Sequence, residues 1–161
     1  RVVDRVARVE AALAAFAART DAIRAALGER VDEEISLVRF SPNRTRIYYK
    51  DTFGGLILSQ IGFRRPPAQD KDEFASEVTK ERIPEMEGDR IFYFSSDLDG
   101  DEATANLNDW LSDPLWLNLE GVKAGRAQRV SEIIWNTAGG IYAANLMLDD
   151  IEAIYGLAST R

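Results

Sequence analysis

The chain has 161 residues, a length typical of one domain with a core of its own. Hydrophobic residues make up 45% of the sequence, and the net charge of -7 argues against nucleic acid as the main partner. The sequence contains neither cysteine nor histidine, which excludes disulfides, thiol nucleophiles, the usual zinc sites and histidine acid–base chemistry. No apolar stretch approaches the length needed to span a bilayer.

The first segment has the pattern of a long amphipathic helix. Apolar or neutral residues recur in steps of four and three, which is typical of one helix face: Val2, Val6, Val9, Leu13, Phe16, Thr20, Ile23 and Leu27. This spacing predicts a helix over residues 2–27 with Gly28 as its C-cap. We expect the chain to begin partway along that helix. The repeat covers nearly four heptads, so a coiled coil that forms a homodimer is an alternative to packing on the chain's own domain.

Beyond residue 28, predicted strands alternate with predicted helices. The strands are expected in "EEISLVRF", "TRIYY", "DRIFYFS" and "RAQRVSE". The helices are expected from Thr52 to Gly62 and over residues 79–86, 101–111, 114–124 and 139–155. Residues 64–76 have the composition of a polar loop. This alternation predicts an α/β fold in three layers, with a mostly parallel central sheet flanked by helices and preceded by the long first helix.

Two motif-like stretches do not support a specific chemistry. Residues 97–102, "DLDGDE", have Glu102 where a calcium loop of the EF-hand type needs glycine, so we interpret them as an acidic cap of the next helix. The glycine pairs at 54–55 and 139–140 do not extend to a phosphate-binding pattern, and close helix–sheet packing is the simpler interpretation. No nucleophile is matched to a base, so the chain is predicted not to be an enzyme.

Basic and aromatic residues cluster after the first predicted strand. They fall within twelve positions of an otherwise acidic chain: Arg39, Arg44, Arg46, Tyr48, Tyr49 and Lys50. Arg39 and residues 41–44, 95–97 and 131–135 all lie at the carboxyl ends of predicted strands, where open α/β sheets bind ligands. Such a surface suits a large anionic ligand with flat rings. Surface arginines and core tyrosines are the alternative.

The order of motifs along the chain resembles that of a known family. The stretches "SLVRF…TRIYYKDTFGGLILSQIGFRRP", "VTKERIPEMEGDRIFYF", "DPLWLNLEGVKAGRAQRV" and "WNTAGGIYAANLMLDDIE" resemble the C-terminal lobe of iron–siderophore ABC transporter substrate-binding proteins. The resemblance implies that residues 1–28 are part of the rigid helix that joins two lobes. It implies that residues 29–161 form the C-terminal α/β lobe and that the N-terminal lobe is absent from this chain.

The resemblance also implies which residues carry the function. Trp135, in the loop before the last helix, is expected to face the ligand, with packing on that helix as the alternative. Arg39, Arg46 and Tyr48 are the nearest matches to residues that neutralise or ligate ferric chelates. Glu81 matches a glutamate that meets arginines of the membrane permease. No metal site and no resident cofactor are expected.

The resemblance is compatible with several kinds of ligand. Relatives of this family bind ferric catecholates, hydroxamates and citrates, cobalamin or haem, and the basic residues favour an anionic ferric siderophore. The implied location is extracytoplasmic, as a periplasmic protein or a membrane-anchored lipoprotein. The alternative from a different class is a non-transport interaction module that dimerises through its N-terminal helix.

Overall fold

A computed structural model describes residues 1–96 and 100–161. It begins with the helix α1, Val2–Leu27, as the apolar spacing predicts. Only the C-terminal half of α1 packs on the rest of the chain, where Phe16, Ile23 and Leu27 are buried in the core. The apolar residues of the N-terminal half, from Val2 to Leu13, are exposed. The predicted apolar face is therefore divided between a packed half and an unpacked half.

Five strands form one mixed sheet within the described residues, in the order β3-β2-β1-β4-β5. The strands are β1 Ile35–Phe40, β2 Arg46–Tyr48, β3 Ala75–Glu77, β4 Arg90–Ser95 and β5 Ala127–Arg129. Strands β1, β4 and β5 are parallel, whereas β2 and β3 are antiparallel to their neighbours. The prediction that residues 64–76 form only a loop is wrong at its end, because Ala75–Glu77 pair with β2.

Helices cover both faces of this sheet, as the sequence analysis predicts. They are α2 Phe53–Ile61, α3 Gly100–Leu111, α4 Pro114–Leu117, α5 Glu120–Lys123 and α6 Gly140–Tyr155, with 3-10 helices at Gly28–Asp32 and Lys80–Met86 and a π-helix at Ile133–Thr137. The helix predicted over residues 114–124 is interrupted, because Leu119 has an extended backbone. Thr52 caps α2 by accepting a hydrogen bond from the Gly55 amide.

The core lies in two clusters, one on each face of the sheet. Helices α1, α2 and α6 and the π-helix pack on one face, around Leu37 and Phe92. The other face is covered by α3, α4 and the second 3-10 helix, around Phe40. This arrangement is the predicted three-layer α/β fold. Hydrophobic burial on both faces explains why the central strands are almost continuously apolar.

Helix α1 is fixed to α6 by a buried arginine. The Arg19 guanidinium donates to the carboxylates of Asp149 and Glu152, each at 2.8 Å, and Nε donates to the Thr160 hydroxyl at 2.8 Å. Arg161 forms a second ion pair with Asp149 at 2.6 Å. A buried arginine that is paired and hydrogen-bonded in this way fixes the direction in which α1 leaves the sheet.

The two glycine pairs have different roles. A Cβ at Gly54 would lie 3.1 Å from both Leu37 Cδ2 and the Trp135 carbonyl oxygen, so glycine there permits close helix–sheet packing, as predicted. The same interpretation is wrong for Gly139 and Gly140, where an added Cβ would meet open space. These two glycines instead adopt φ of 65° and 78° and turn the backbone into α6.

Two further expectations concern the whole chain. Part of the acidic stretch 97–102, namely residues 97–99, lies outside the described residues, so its interpretation as a helix cap stays a prediction. Residue 97 of the predicted binding surface lies outside them too. None of the helices described is both long enough and apolar enough to cross a membrane.

Candidate functional site

The candidate site lies at one edge of the sheet, here called the carboxyl edge, where the parallel strands β1, β4 and β5 end. Arg39 is the last residue but one of β1 and pairs in register with Phe94 of β4. The Tyr93 hydroxyl also belongs to this end of the sheet, and burial raises its pKa although the charge of Arg129 opposes this. Tyr93 is therefore protonated at neutral pH.

Two arginines stand side by side on this edge. Arg39 of β1 is the register partner of Arg46 on β2, so the two side chains project from the same face of the sheet. Like charges directly opposite each other on neighbouring strands are destabilising. On its other side, Arg46 pairs in register with Glu77 of β3. The Glu77 carboxylate, however, forms its ion pair with Arg44, at 3.7 Å. Arg39 and Arg46 are therefore direct neighbours across the two strands.

Arg39 is held from the protein side by Glu132. The Arg39 Nε donates to Glu132 Oε1 at 2.7 Å, and the side chains are 17% and 6% exposed. Within the described part of the chain, the two terminal nitrogens of Arg39 make no hydrogen bond. The guanidinium therefore has one fixed donor and a terminal pair of nitrogens that remains available, in the geometry that matches a carboxylate.

Arg46 is surrounded by aromatic rings. Its guanidinium carbon lies 5.4 Å from the Tyr48 ring centroid and 5.9 Å from that of Phe74, which is 53% exposed. Nη2 donates to the Tyr48 hydroxyl at 3.2 Å, and Nε is buried with no hydrogen-bond partner in the described part of the chain. No carboxylate among residues 1–96 and 100–161 forms an ion pair with Arg46. Among the described residues, the charge of this arginine is thus not paired, and it lies beside an exposed aromatic ring.

The Tyr48 hydroxyl links the cluster to the π-helix. Its ring is buried and contacts Phe94 and Phe74, with centroids 5.5 Å apart in both pairs. Its oxygen accepts hydrogen bonds from Arg46 and from Asn136 Nδ2, the latter at 3.3 Å. With both lone pairs engaged, only the hydroxyl proton is left to donate, and Tyr48 is 2% exposed, so little more than this group could be reached from outside.

Trp135 does not lie where the sequence analysis placed it. The expectation of a rim residue in a loop is wrong, because Trp135 is only 1% exposed and lies inside the π-helix. Its ring packs 5.0 Å from Phe92, and Nε1 donates to the Asp150 carboxylate at 2.9 Å. The alternative interpretation, packing on the final helix, describes this residue. No face of the indole is open for stacking.

Phe74 and Asn136 were not singled out from the sequence, and Glu132 was included only as part of the predicted segment 131–135, without a role of its own. Phe74 precedes β3, a strand that was not predicted, so its position beside Arg46 could not be inferred. Glu132 and Asn136 flank Trp135 and are four residues apart, a spacing that brings side chains to one side of a helix. That spacing was a usable signal, but only if the segment had been recognised as helical.

Glu81 occupies a separate surface. It lies in the 3-10 helix Lys80–Met86, is exposed, and accepts a hydrogen bond from the Thr79 hydroxyl. No hydrogen bond or ion pair between described residues connects it with Arg39, Arg46 or Tyr48. Nor does any group of three or more carboxylates in the described ranges have the arrangement of a metal site.

Comparison with known proteins gives no matching family model but clear relatives. The chain is 42% identical over 151 residues to the probable siderophore-binding lipoprotein YfiY of Bacillus subtilis (strain 168), covering 89% of this chain and 46% of the relative. It is 29% identical over 126 residues to the achromobactin-binding periplasmic protein of Dickeya dadantii (strain 3937), covering 77% of this chain and 41% of that protein.

A solved structure shows the same likeness. The crystal structure of Staphylococcus aureus SirA complexed with staphyloferrin B matches with a TM-score of 0.83 at 26% identity, over 92% of this chain and 55% of that chain. The chain spans about half the length of the curated relatives it matches. Those two relatives are binding proteins by name rather than enzymes, in line with the sequence prediction.

Proposed function

We propose that this chain is the C-terminal lobe of a siderophore-binding protein and forms one wall of a cleft that captures an anionic ferric siderophore. Its similarity to the siderophore-binding and achromobactin-binding relatives and to the SirA structure supports this proposal. The observation that carries this proposal is the cross-strand pair of Arg39 and Arg46, for which the described residues supply a single buried carboxylate, Glu132. A bound anion would relieve the repulsion between the two guanidinium groups.

The surroundings of the pair fit an anionic chelate that carries flat rings. Arg39 offers its terminal nitrogens, Tyr48 offers its hydroxyl proton, and Phe74 offers an exposed ring beside Arg46. Charge-assisted hydrogen bonds to an oxygen-rich ligand are roughly twice as strong as neutral ones.

The other wall of the cleft is proposed to come from a second lobe. Helix α1 leaves the sheet with its N-terminal half unpacked, and the relatives are about twice as long as this chain. We take residues 1–28 as part of a helix that joins two lobes and residues 29–161 as the C-terminal lobe. The protein in which this chain is joined to the other lobe is called the two-lobed protein below.

The remaining parts of the proposal concern delivery. YfiY is named a lipoprotein and the Dickeya protein a periplasmic protein, which supports an extracytoplasmic location for this chain. Glu81 is proposed to meet an arginine of an ABC permease, since its carboxylate is exposed and lies apart from the arginine pair. An exposed acidic group of this kind can steer docking to a basic partner.

The proposal is tested by titrating the two-lobed protein with three ferric chelates while its tryptophan fluorescence is recorded. The chelates are ferric citrate, a ferric tris-catecholate and a neutral ferric tris-hydroxamate. We expect an anionic chelate to bind most tightly, and Arg46→Ala to weaken it about tenfold or more. The control is Arg64→Ala, because Arg64 is exposed and pairs with Asp32 elsewhere on the surface. Binding of none of the three, or equal loss in both variants, would contradict the proposal.

A further inference from the structure

We infer that Glu132, directly before the π-helix, and Asn136, within it, are positioning residues that hold Arg39 and Tyr48 in an arrangement ready for a ligand. The inference rests on the proposed function, since it assigns these two residues a role in binding the same anion. It rests on two hydrogen bonds that connect one short segment with two strands. Arg39 Nε of β1 donates to Glu132 at 2.7 Å, and Asn136 Nδ2 donates to the Tyr48 hydroxyl of β2 at 3.3 Å.

The contact with Glu132 orients Arg39 through Nε and does not involve its terminal nitrogens. Arginine loses much side-chain freedom when it is fixed in one geometry, and this loss otherwise opposes ligand binding. The bond to Nε removes that freedom beforehand, while the terminal nitrogens stay available. Glu132 is 5% exposed, so its carboxylate lies on the protein side of the guanidinium. A ligand carboxylate can approach from the opposite side and share the same arginine.

The contact with Asn136 acts on the second strand in the same way. Asn136 donates to the Tyr48 hydroxyl, which also accepts from Arg46. These two donors fix the direction of the remaining hydroxyl proton. The residues at 132 and 136 are one helical turn apart and face the same side, so a single segment sets the relative positions of groups on β1 and β2.

The segment itself is anchored in the core, which gives Trp135 its role. The Trp135 ring packs on Phe92, and its indole N–H bonds to Asp150. The Ser131 hydroxyl accepts from the Ile134 amide at 3.3 Å, which closes the start of the π-helix. Positioning residues act well only when their own geometry is locked by packing and hydrogen bonds. Both conditions are met here.

A competing role for Glu132 predicts the opposite result. If its carboxylate merely took the place of the ligand, removing it would free Arg39 and tighten the binding of anions. If it positions Arg39, removing it would loosen the guanidinium and weaken binding. The sign of the change in affinity therefore separates the two roles.

The test is a double-mutant cycle in the two-lobed protein, with the tightest anionic chelate of the panel above as probe. We expect Glu132→Ala to weaken binding roughly 5- to 20-fold, and to have no further effect when Arg39→Ala is already present. Glu132→Gln still offers an acceptor to Nε, and we expect it to retain most of the affinity. Asn136→Ala should weaken binding in the wild type but not beside Tyr48→Phe.

A readout without ligand completes the test. The Nε–H proton of Arg39, followed by NMR, should exchange with water more slowly in the wild type and in Glu132→Gln than in Glu132→Ala. Tighter anion binding by Glu132→Ala, or an equal loss with and without Arg39, would overturn the inference while leaving the proposed function intact. An unchanged affinity in Arg39→Ala alone would overturn the proposed site, and the inference with it.

Discussion

At the scale of single residues, Trp135 is a position at which the sequence pattern and the structure disagree. The tryptophan precedes two glycines and follows a short strand, so a loop position was the natural prediction. The backbone instead forms a π-helix, which turns the indole inward, and Gly54 leaves room for the Trp135 carbonyl. Neither feature has a sequence signature. Arg39, Arg46 and Tyr48, by contrast, were singled out by the resemblance and by the cluster of basic and aromatic residues after the first strand, and their role in binding stays a prediction.

The buried indole leads to a prediction about stability. We expect Trp135→Ala to lower the free energy of unfolding by about 3 to 5 kcal/mol, as other large-to-small core substitutions do. Trp135→Phe should lose less, because it keeps an aromatic ring against Phe92 and gives up only the bond to Asp150. Urea denaturation of both variants measures this. A midpoint unchanged from the wild type for the alanine variant would show that the indole is not a core residue.

At the scale of elements, the regular helices and central strands were predictable and the irregular ones were not. Helix α1 and strand β1 have clear apolar periods, and α2 has both a threonine cap and a glycine stop. Strand β3 has three residues and no apolar pattern, so only its pairing with β2 reveals it. The Glu132 and Asn136 contacts depend on the π-helix and were missed for the same reason.

The junction of α1 and α6 leads to a prediction about pH. Hydrogen bonds from Arg161 and Arg19 lower the pKa of the Asp149 carboxyl below its ordinary value of 3.8, against a smaller opposing effect of burial. A lowered pKa in the folded state stabilises the fold above the ordinary value, and this contribution is lost as pH falls through the folded value. Asp149 is about one-third exposed, so solvent screening keeps the contribution small.

The variant that isolates this effect is Arg161→Gln. We expect it to be slightly less stable than the wild type at pH 7, and the difference in unfolding free energy to shrink as pH falls below 3.8. Lys123→Gln is a suitable control, since Lys123 forms an exposed pair with Glu120 in α5. Urea midpoints at pH 7, 4 and 3 provide the comparison. A difference that grows towards acid pH would contradict this account of Asp149.

At the scale of the whole molecule, the two halves of α1 behave differently. The C-terminal half is buried on the sheet and tied to α6 by Arg19, whereas the apolar residues of the N-terminal half contact solvent: Val2, Val3, Val6, Val9 and Leu13. An exposed apolar stripe of this kind is typical of a surface that another protein surface covers. The proposed cover is the other lobe.

Hydrogen–deuterium exchange tests which surface covers α1. In the isolated chain we expect residues 2–13 to exchange much faster than residues 16–27, because a helix end without tertiary contacts opens locally. In the two-lobed protein the exchange of residues 2–13 should slow. Slowing in the isolated chain as its concentration rises would indicate the homodimer instead. Equally fast exchange in the two-lobed protein would contradict the proposed role of α1.

The central claim is that the arginine pair on the carboxyl edge receives an anionic ferric chelate. A crystal structure of the two-lobed protein with its tightest chelate tests this most directly. We predict ligand oxygens within hydrogen-bonding distance of the terminal nitrogens of Arg39 and of the Tyr48 hydroxyl, with the Arg39–Glu132 contact retained and Trp135 still buried. A chelate bound away from Arg39 and Arg46 would contradict the account.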